Sequence, residues 1–335
     1  MMGIFWLTTI CNLKCKYCYE GIEKKYSLMP SYIIDLALKF LFEKIINTDE
    51  ILQIVLHGGE PFLAFEEMKY LVAKSSNLAY EKNINIQYMV TTNATILNEE
   101  MIEFICDNIK NITISIDGDR ETHDFLRPFK DGSGTHSIVV KNLKKLLDKI
   151  PDLTVRLTYN HQTVEKLFEN VKFIIDLGVK CVIPARDMFD ENWDYQKFNL
   201  LKNELLKIRN YLGDRHDIVI SMLDTRNIKP LNTCGGGLTS FNFYTDGSIY
   251  PCTITVGNEE FNLGNVMGGI DWKKRDKLLS YSEELNQECV GCIFYNFCEQ
   301  TRCKMINKMM NNDYCKASPV SCKEKHIIYQ VNFKE

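Results

Sequence analysis

The sequence has no run of about 20 consecutive apolar residues, the length that a membrane-spanning helix needs. It also has no strongly basic stretch, because 40 Lys and Arg against 44 Asp and Glu leave a formal net charge of -4. Nucleic acid is therefore not expected as a partner, since its binding requires clustered positive charge. The apolar residues 1–10 lack the basic segment that begins a secretory signal. We therefore expect a cytoplasmic protein that binds no membrane.

Hydrophobic residues make up 45% of the 335 positions, enough to fill a sizeable core. Up to about residue 185, short β-branched or apolar runs alternate with helical segments such as Ile33–Ile46 and Val164–Leu177. This α/β alternation predicts six β/α units, arranged as an open barrel or as a doubly wound sheet. The strands are predicted at Ile4–Thr9, Ile51–Leu56, Ile84–Thr91, Asn111–Ile116, Leu153–Tyr159 and Lys180–Ala185.

Polar and glycine-rich segments follow four of the predicted strands. Cys11–Cys18 follows the first strand, and the segment His57–Pro61 follows the second. Thr92-Asn93 and Asp117-Gly118 follow the third and fourth strands. Because ligands of parallel α/β sheets bind at the carboxyl ends of the strands, these segments predict one shared site.

The chain contains 13 cysteines, a large number for its length. In a reducing cytosol, clustered cysteines indicate metal binding rather than disulfides. After a predicted helix at Asp194–Leu212, the composition changes near Lys229, and eight cysteines follow together with much Gly and Asn. We therefore predict two domains, residues 1–228 and residues 229–335, and expect metal to organise the second.

The first cysteine cluster has the spacing Cys11-x3-Cys15-x2-Cys18 and follows the first predicted strand directly. A [4Fe–4S] cube usually takes four thiolates, so three thiolates from one loop leave one iron open to a chelating ligand. The spacing alone also allows a zinc knuckle without its fourth ligand, or a purely structural loop.

Together with Tyr17 before the third cysteine, this pattern resembles the signature of the radical S-adenosylmethionine (SAM) superfamily. The resemblance implies an enzyme with a partial (β/α)6 barrel that cleaves SAM reductively at the cluster. It also implies that Gly58, Gly59, Glu60 and Pro61 bind the SAM amino group, because glycines permit close approach and a carboxylate favours an ammonium. An ordinary turn is the alternative for this segment. Further positions that resemble SAM-contacting residues of the family are Asn93, Ser115, Asp117 and Arg156.

The C-terminal cysteines resemble the SPASM domain of radical SAM maturases, which binds two auxiliary [4Fe–4S] clusters. The resemblance implies three clusters in total, with Cys315 as a further ligand of the inner cluster unless that cluster keeps an open iron. Two features depart from the family pattern: a gap of four residues instead of three before Cys303, and an eighth cysteine. Two zinc sites are the alternative. The implied ligands are Cys289, Cys292, Cys298 and Cys322 for the outer cluster, and Cys234, Cys252 and Cys303 for the inner one.

Four other residues have side chains that could either serve a site or only pack in the fold. Cys106 and Cys181, in a predicted helix and a predicted strand, are expected to be small buried apolar residues rather than ligands. His123 and Arg127 follow Asp117-Gly118 and are either substrate-facing or part of a solvated loop, of which the solvated loop is the default. No catalytic residue is assigned from the sequence.

The resemblance to SPASM proteins implies hydrogen abstraction from a peptide or protein. We therefore expect a maturase that forms a thioether or another crosslink in a ribosomally made precursor peptide. An anaerobic sulfatase-maturing enzyme is the alternative, but that group carries an Asp base where this sequence has Thr253. A non-catalytic metal-cluster scaffold is a further alternative. The expected partners are the precursor peptide and an external electron donor such as flavodoxin or ferredoxin. Since the first strand starts near residue 4, leader binding is expected to use either the barrel itself or a separate leader-binding protein.

Overall fold

The computed structural model describes residues 1–20, 27–45, 50–226 and 234–333. In this part of the chain, no helix has the length and apolar character required to cross a membrane. The domain boundary predicted at residues 228 and 229, and the predicted helix end at Ile46, lie outside the described residues.

The first two thirds of the chain form the six predicted β/α units and a short seventh strand. All six strands lie within two residues of their predicted positions. The predicted helix Val164–Leu177 begins as a 3-10 turn, Val164–Lys166. The elements are β1 (Met2–Thr8), α1 (Ser31–Lys44), β2 (Leu52–Gly58), α2 (Phe65–Lys82), β3 (Ile86–Thr92), α3 (Glu99–Asn108), β4 (Ile109–Ser115), α4 (Arg120–Leu126), α5 (His136–Lys149), β5 (Thr154–Tyr159), α6 (Leu167–Asp176), β6 (Cys181–Arg186), α7 (Tyr195–Leu212) and β7 (Val219–Ile220).

The strands of these units lie side by side in chain order, from β1 to β7, and every neighbouring pair is parallel. A doubly wound sheet would require the strand order to reverse at one point. Right-handed crossovers between strands in unbroken order place all the helices on one face. The sheet is therefore the predicted partial barrel, with apolar side chains such as Ile54, Leu56 and Ile114 fully buried beneath the helices.

The C-terminal part extends the same sheet. Strand β8 is parallel to β1 and pairs with it on the edge opposite β2, with Phe5 opposite Phe243. The rings of these two residues lie 5.1 Å apart, and Phe40 of α1 packs against Phe243 at 5.7 Å. The remaining elements are β8 (Ser240–Phe243), β9 (Ser248–Tyr250), β10 (Gly264–Asn265), β11 (Gly269–Ile270), α8 (Trp272–Ser280), α9 (Glu299–Arg302), α10 (Lys304–Asn311) and α11 (Pro319–Phe333).

Side-chain caps fix the starts of several helices. Asp194 accepts a hydrogen bond from the Lys197 amide at 2.8 Å, which places the start of α7 at the predicted position. Asn98 caps α3 and Asp119 caps α4 in the same way. Such caps satisfy amide groups that have no partner inside the helix.

Candidate functional site

The first cysteine loop leaves the carboxyl end of β1 and is held against the segment after α4. The Lys14 amide donates to the Pro128 carbonyl at 2.9 Å, and the Lys16 amide donates to the Leu126 carbonyl at 2.9 Å. Burial raises the pKa of the Cys15 thiol to about 12; the charges of Cys11, Asp117 and Cys18 add to the rise, and Arg127 opposes it. The three cysteines of the loop thus lie within electrostatic reach of one another.

The glycine turn after β2 packs directly on this loop. The Gly59 amide donates to the Thr8 carbonyl at 3.1 Å, and the Glu60 amide donates to the Ile10 carbonyl at 2.8 Å. A Cβ atom on Gly59 would lie 2.5 Å from the Ile10 oxygen, and one on Gly58, which has a φ of +153°, would lie 2.6 Å from the Thr8 oxygen. Only glycine permits this approach of the turn to the cysteine loop.

The carboxylate of Glu60 is 1% exposed and joins the ends of β2 and β3. It accepts hydrogen bonds from the Thr92 hydroxyl at 2.6 Å, the Asn93 amide at 2.7 Å and the Phe62 amide at 3.3 Å. Burial nevertheless raises its pKa to about 7, although these hydrogen bonds act in the opposite direction. A cation close to this carboxylate would therefore stabilise its ionised form and lower its pKa.

Asn93 connects the end of β3 to the cysteine loop. Its amide nitrogen donates to Asn12 Oδ1 at 3.0 Å and lies 3.9 Å from Cys11 Sγ. Asn12 in turn donates to the Thr95 hydroxyl at 2.7 Å. Asn12 was not predicted as a site residue, although its position directly after Cys11 was an available signal.

Asp117, fully buried after β4, accepts hydrogen bonds from three different parts of the barrel. The Tyr17 hydroxyl and Arg127 Nε donate to Oδ2 at 2.6 Å and 2.8 Å, and the Thr158 amide donates to Oδ1 at 2.8 Å. The Arg127 guanidinium also lies 5.1 Å from the centre of the Tyr17 ring. This buried ion pair fixes the cysteine loop to the ends of β4 and β5.

His123 and Arg127 do not form a solvated loop, so that default interpretation is wrong. His123 lies on α4 and Arg127 follows the helix directly, beside the candidate site. His123 is fully buried, and Arg127 is 7% exposed. His123 Nδ1 accepts from the Asp117 amide at 3.2 Å, and burial lowers its pKa to about 3, so the ring is neutral. The physical reason is that the cysteine loop covers α4.

The structure places the other predicted SAM contacts at the same rim. Ser115, which is buried, ends β4 and lies opposite Arg156 of β5 in the sheet. Arg156 is exposed and makes no side-chain hydrogen bond or ion pair among the described residues. The hydroxyl of Tyr19, after the third cysteine, lies 3.1 Å from His57 Nε2. Burial raises the pKa of Tyr19, the charges of Cys18 and Cys252 add to the rise, and Arg156 opposes it. This residue therefore lies between the barrel site and the C-terminal cysteines.

Three C-terminal cysteines, Cys234, Cys252 and Cys303, form an inner group. Burial raises the pKa of Cys303 to about 12, and the charges of Cys234, Glu299, Cys252 and, least, Cys298 of the outer group add to the rise. Burial and Cys234 likewise raise the pKa of Cys252. Four other cysteines form an outer group: Cys289, Cys292, Cys298 and Cys322. Burial raises the pKa of Cys289 and of Cys322, and the nearby thiols of the same group add to each rise.

Cys315 lies apart from both groups. Its thiol lies 3.6 Å from the Lys304 ammonium and 3.5 Å from a Glu284 carboxylate oxygen. Burial raises the pKa of this thiol, the Lys304 ammonium lowers it and the Glu284 carboxylate raises it. Nowhere in the described ranges do three His, Cys, Asp or Glu side chains lie close enough to share one metal ion. A [4Fe–4S] cube needs no such arrangement, because each thiolate binds a different iron.

The expectation for the two isolated cysteines is half confirmed. Cys106 and Cys181 lie on α3 and β6 as expected, but Cys106 is exposed and Cys181 is partly buried. The buried residues of α3 are Ile102 and Ile105, so Cys106 lies off the buried face of its helix. The prediction that Cys106 is a buried apolar residue is therefore wrong.

A cavity of about 760 Å³ opens between the barrel and the C-terminal part. Arg156, residues 183–186 of β6, Cys298 and residues of α11 line it. Its wall is fixed by Glu324 of α11, which accepts from the Tyr159 hydroxyl at 2.6 Å and from Arg186 Nε at 3.2 Å. The cavity thus adjoins both the strand ends of the barrel and the outer cysteine group.

A family model described as the Radical SAM superfamily matches residues 7–174. The chain belongs to the radical SAM superfamily. Among curated relatives, an uncharacterized protein of Methanocaldococcus jannaschii is 31% identical, over 82% of this chain and 90% of its own length. The cysteine-type anaerobic sulfatase-maturating enzyme of Clostridium perfringens strain 13 is 27% identical over 92% of this chain and 91% of its own. The sporulation killing factor maturation protein SkfB of Bacillus subtilis is 26% identical over 86% and 68%.

Solved structures show the same fold. The structure of anSMEcpe with bound AdoMet and Kp18Cys peptide has a TM-score of 0.83 and 20% identity, covering 99% of this chain and 97% of that one. Streptococcus suis SuiB bound to precursor peptide SuiA has a TM-score of 0.67 and 16% identity, covering 96% and 75%. Both similarities extend beyond the barrel into the C-terminal part.

Radical SAM proteins are enzymes that use SAM and a [4Fe–4S] cluster, and the residues present in this radical SAM chain fit that pair. The donor set is three thiols on one loop, which suits a cube that keeps one iron for SAM. The glycine turn fits as well, because its backbone is packed on that loop without side chains in between. The individual contacts of Tyr17, Pro61, Asn93, Ser115, Asp117 and Arg156 to SAM stay predictions.

Proposed function

We propose that this radical SAM enzyme is a maturase of ribosomally made, cysteine-containing precursor peptides, with three [4Fe–4S] clusters and a thioether or similar crosslink as product. The observation that carries the proposal is the division of the cysteines into groups of three, three and four, with Cys315 outside all of them. In this proposal, Cys11, Cys15 and Cys18 hold the SAM cluster. The four outer cysteines fully ligate one auxiliary cluster, and the three inner ones leave an iron of the other open.

With the groups bound, the SAM cluster supplies the electron that breaks the SAM C–S bond, and the auxiliary clusters supply electron acceptors. The chain's own residues position the reactants. Gly58 and Gly59 let the backbone approach SAM, and Glu60 offers a carboxylate to its amino group. The neutral His123 and the Asp117–Arg127 ion pair hold the cysteine loop in place. Arg156, which makes no side-chain hydrogen bond or ion pair among the residues that the structure describes, would meet the carboxylate of SAM.

Thioether formation removes two protons and two electrons from the peptide. One hydrogen atom leaves a carbon for the 5′-deoxyadenosyl radical, which becomes 5′-deoxyadenosine. The thiol loses a proton and the carbon centre loses one electron as the C–S bond forms. Cys234, Cys252 and Cys303 would hold a cluster through three thiolates, and such a cluster would supply both a binding position for the substrate thiolate and an electron acceptor.

Formylglycine formation is the second candidate, supported by the likeness to the sulfatase-maturating enzymes along nearly the whole chain. The residue after Cys252 argues against it. Thr253 has no carboxylate, and its hydroxyl donates to Asn242 Oδ1 at 2.9 Å. A threonine at this position does not supply the base that the Asp of the sulfatase-maturing group provides.

The test is anaerobic reconstitution followed by iron analysis and peptide assays. We expect about 12 iron atoms per chain and cleavage of SAM to 5′-deoxyadenosine. Cysteine-rich peptides from the genomic neighbourhood should lose two hydrogen atoms by mass spectrometry. Conversion of a sulfatase-derived Cys peptide to an aldehyde, with those peptides unchanged, would establish the second candidate instead.

Matched cysteine variants separate cluster loss from unfolding. Replacing Cys11, Cys15 and Cys18 together by Ala should leave roughly two thirds of the iron and abolish SAM cleavage. Cys106→Ala, which removes an exposed thiol outside every group, should change neither. Stoichiometric zinc without the visible absorbance of iron–sulfur clusters would refute the proposal and support a zinc scaffold.

A further inference from the structure

The cavity between the barrel and the C-terminal part has charged side chains in its wall, but most of them already have partners within the chain. The ion pairs are Arg186 with Glu324 at 3.2 Å, Glu299 with Lys325 at 3.1 Å, and Asp224 with Arg226 at 2.7 Å. Arg186 also donates to Ser321 Oγ at 2.8 Å. These pairs leave little charge for an occupant, so the apolar part of the wall decides what the cavity binds.

The inner end of the cavity lies at the strand ends of the barrel. Arg156 of β5 lines it together with Ile183 and Ala185 of β6. Arg156 pairs in the sheet with Ser115, at the rim where the proposed SAM contacts meet. In the proposed function, the residue of the peptide that loses a hydrogen atom therefore lies at this end.

The outer end of the cavity is lined by large apolar side chains, which we call the aromatic mouth: Ile293, Phe294, Phe297, Tyr329 and Phe333. The ring of Phe294 lies 4.4 Å from that of Tyr329, which lies 4.8 Å from that of Phe333. Ile293, Phe297 and Phe333 are 72%, 42% and 50% exposed. Exposed apolar side chains grouped in this way are typical of a binding surface.

The outer cysteine group fixes both sides of the aromatic mouth. One side, residues 293–297, is the segment between Cys292 and Cys298. The other side is α11, which carries Cys322 near its start and Phe333 at its end. The mouth is therefore a built feature of the C-terminal part and belongs to the same cavity as the barrel rim.

We propose that the aromatic mouth binds a large apolar side chain of the substrate peptide, aromatic or branched aliphatic, close to the residue that reacts. This inference rests on the proposed function, in which the substrate is a peptide. A cavity of about 760 Å³ has the size that encloses a small ligand, so a few residues fill it. An extended peptide advances by about 3.3–3.6 Å per residue. With the reacting residue at the barrel rim, its neighbours in the peptide are the ones that reach the mouth.

The test uses short fluorescein-labelled peptides with one cysteine and one variable residue on a Gly and Ser background. The variable residue is Phe, Leu, Ala, Asp or Lys, placed at successive positions on either side of the cysteine. Binding to the reconstituted enzyme with SAM is measured by fluorescence anisotropy. At one position, Phe and Leu should bind roughly tenfold more tightly than Ala, because a large apolar side chain leaves water there. Asp and Lys should bind no better than Ala.

Charged variants of the cavity wall should change this preference. Phe333→Lys should lose the preference for Phe and gain one for Asp, since an ammonium replaces a ring at the mouth. Phe333 is half exposed and lies at the far end of α11 from Cys322, so the iron content should stay the same. Met188→Lys, which changes the wall just after β6, is a second variant with the same expected direction. The matched control is Tyr80→Lys on α2, where the ring is 90% exposed; it should bind every peptide as the wild type does.

A wild-type enzyme that binds no peptide of the series more tightly than its Ala counterpart would overturn the inference. So would a preference for Phe that stays unchanged in both Phe333→Lys and Met188→Lys. A wild-type dimer that Phe333→Lys separates in sedimentation, with unchanged peptide affinities, would make the mouth an interface between copies instead. Crosslinking of a peptide from the genomic neighbourhood without any apolar preference would overturn this inference alone. An apolar preference together with an aldehyde product would instead overturn the proposed function and leave the inference standing.

Discussion

The buried ion pair between Asp117 and Arg127 should be a main source of stability of the site. Arg127 Nε lies 2.8 Å from Asp117 Oδ2, and the two side chains are 9% and 0% exposed. The Asp117 charge keeps the pKa of Arg127 above its usual value even though burial acts in the opposite direction. Replacing Arg127 by Met keeps most of the volume and leaves the Asp117 carboxylate buried without its counter-charge.

Loss of one partner from a buried pair costs about 3–5 kcal/mol, so Arg127→Met should lower the free energy of unfolding by that amount. At roughly 1.5 °C per kcal/mol for a chain of this size, the midpoint of thermal unfolding should fall by about 4–8 °C. Urea titration followed by circular dichroism measures the loss. Adding Asp117→Asn should restore part of it, because the unpaired charge is then removed.

The control is Lys166→Met, which removes the exposed ion pair with Glu121 on the other side of α4. An exposed pair contributes about 1 kcal/mol or less, so this variant should stay close to the wild type. If Arg127→Met were no more destabilised than Lys166→Met, the buried pair would not have the structural role assigned to it.

Three further predictions concern the cysteines and the glycine turn. Cys315→Ala should retain the full iron content and the electron paramagnetic resonance signals of all clusters, whereas Cys303→Ala should lose the inner signal. Loss of a cluster in Cys315→Ala would make it a ligand. Because burial raises the pKa of Glu60 from its ordinary value of 4.5 to about 7, stability from the protonated form is present below pH 4.5 and is lost as the pH rises through 7. The difference in unfolding free energy between wild type and Glu60→Gln should therefore change by about 3 kcal/mol between pH 4.5 and 7.5, and a constant difference would contradict this. Gly59→Ala should abolish SAM cleavage in a protein that still unfolds cooperatively, because its Cβ would lie 2.5 Å from the Ile10 oxygen; unchanged cleavage would show that the turn can move away.

The barrel was predictable because its signals are local. Runs such as Ile109–Ser115 fill buried strand positions, and caps such as Asp194 mark the helix starts. The cysteine spacings likewise place the ligands on short segments. The location of the candidate site follows from these patterns, because parallel strands bring their carboxyl ends to one edge of the sheet.

The contacts that a short pattern cannot show were missed. Asp117 and Arg127 are both charged and lie ten positions apart, which is typical of a solvated loop. Their burial depends on the cysteine loop that covers them, a contact across about 100 positions of the chain through Tyr17. The pairing of β8 with β1 was missed for the same reason, since four residues carry no signal for a distant parallel partner.

The central position of β1 has a consequence for how the protein is made. One edge of β1 pairs with β2, but the other waits for β8, and Trp6 Nε1 finds its acceptor in Asn242, 236 positions later. At ribosomal rates, this interval is about 12–50 s. During that time an apolar strand edge is open to other chains. Overexpression at lower temperature, or with chaperones that cover such edges, should therefore increase the yield of folded chain before any iron is supplied.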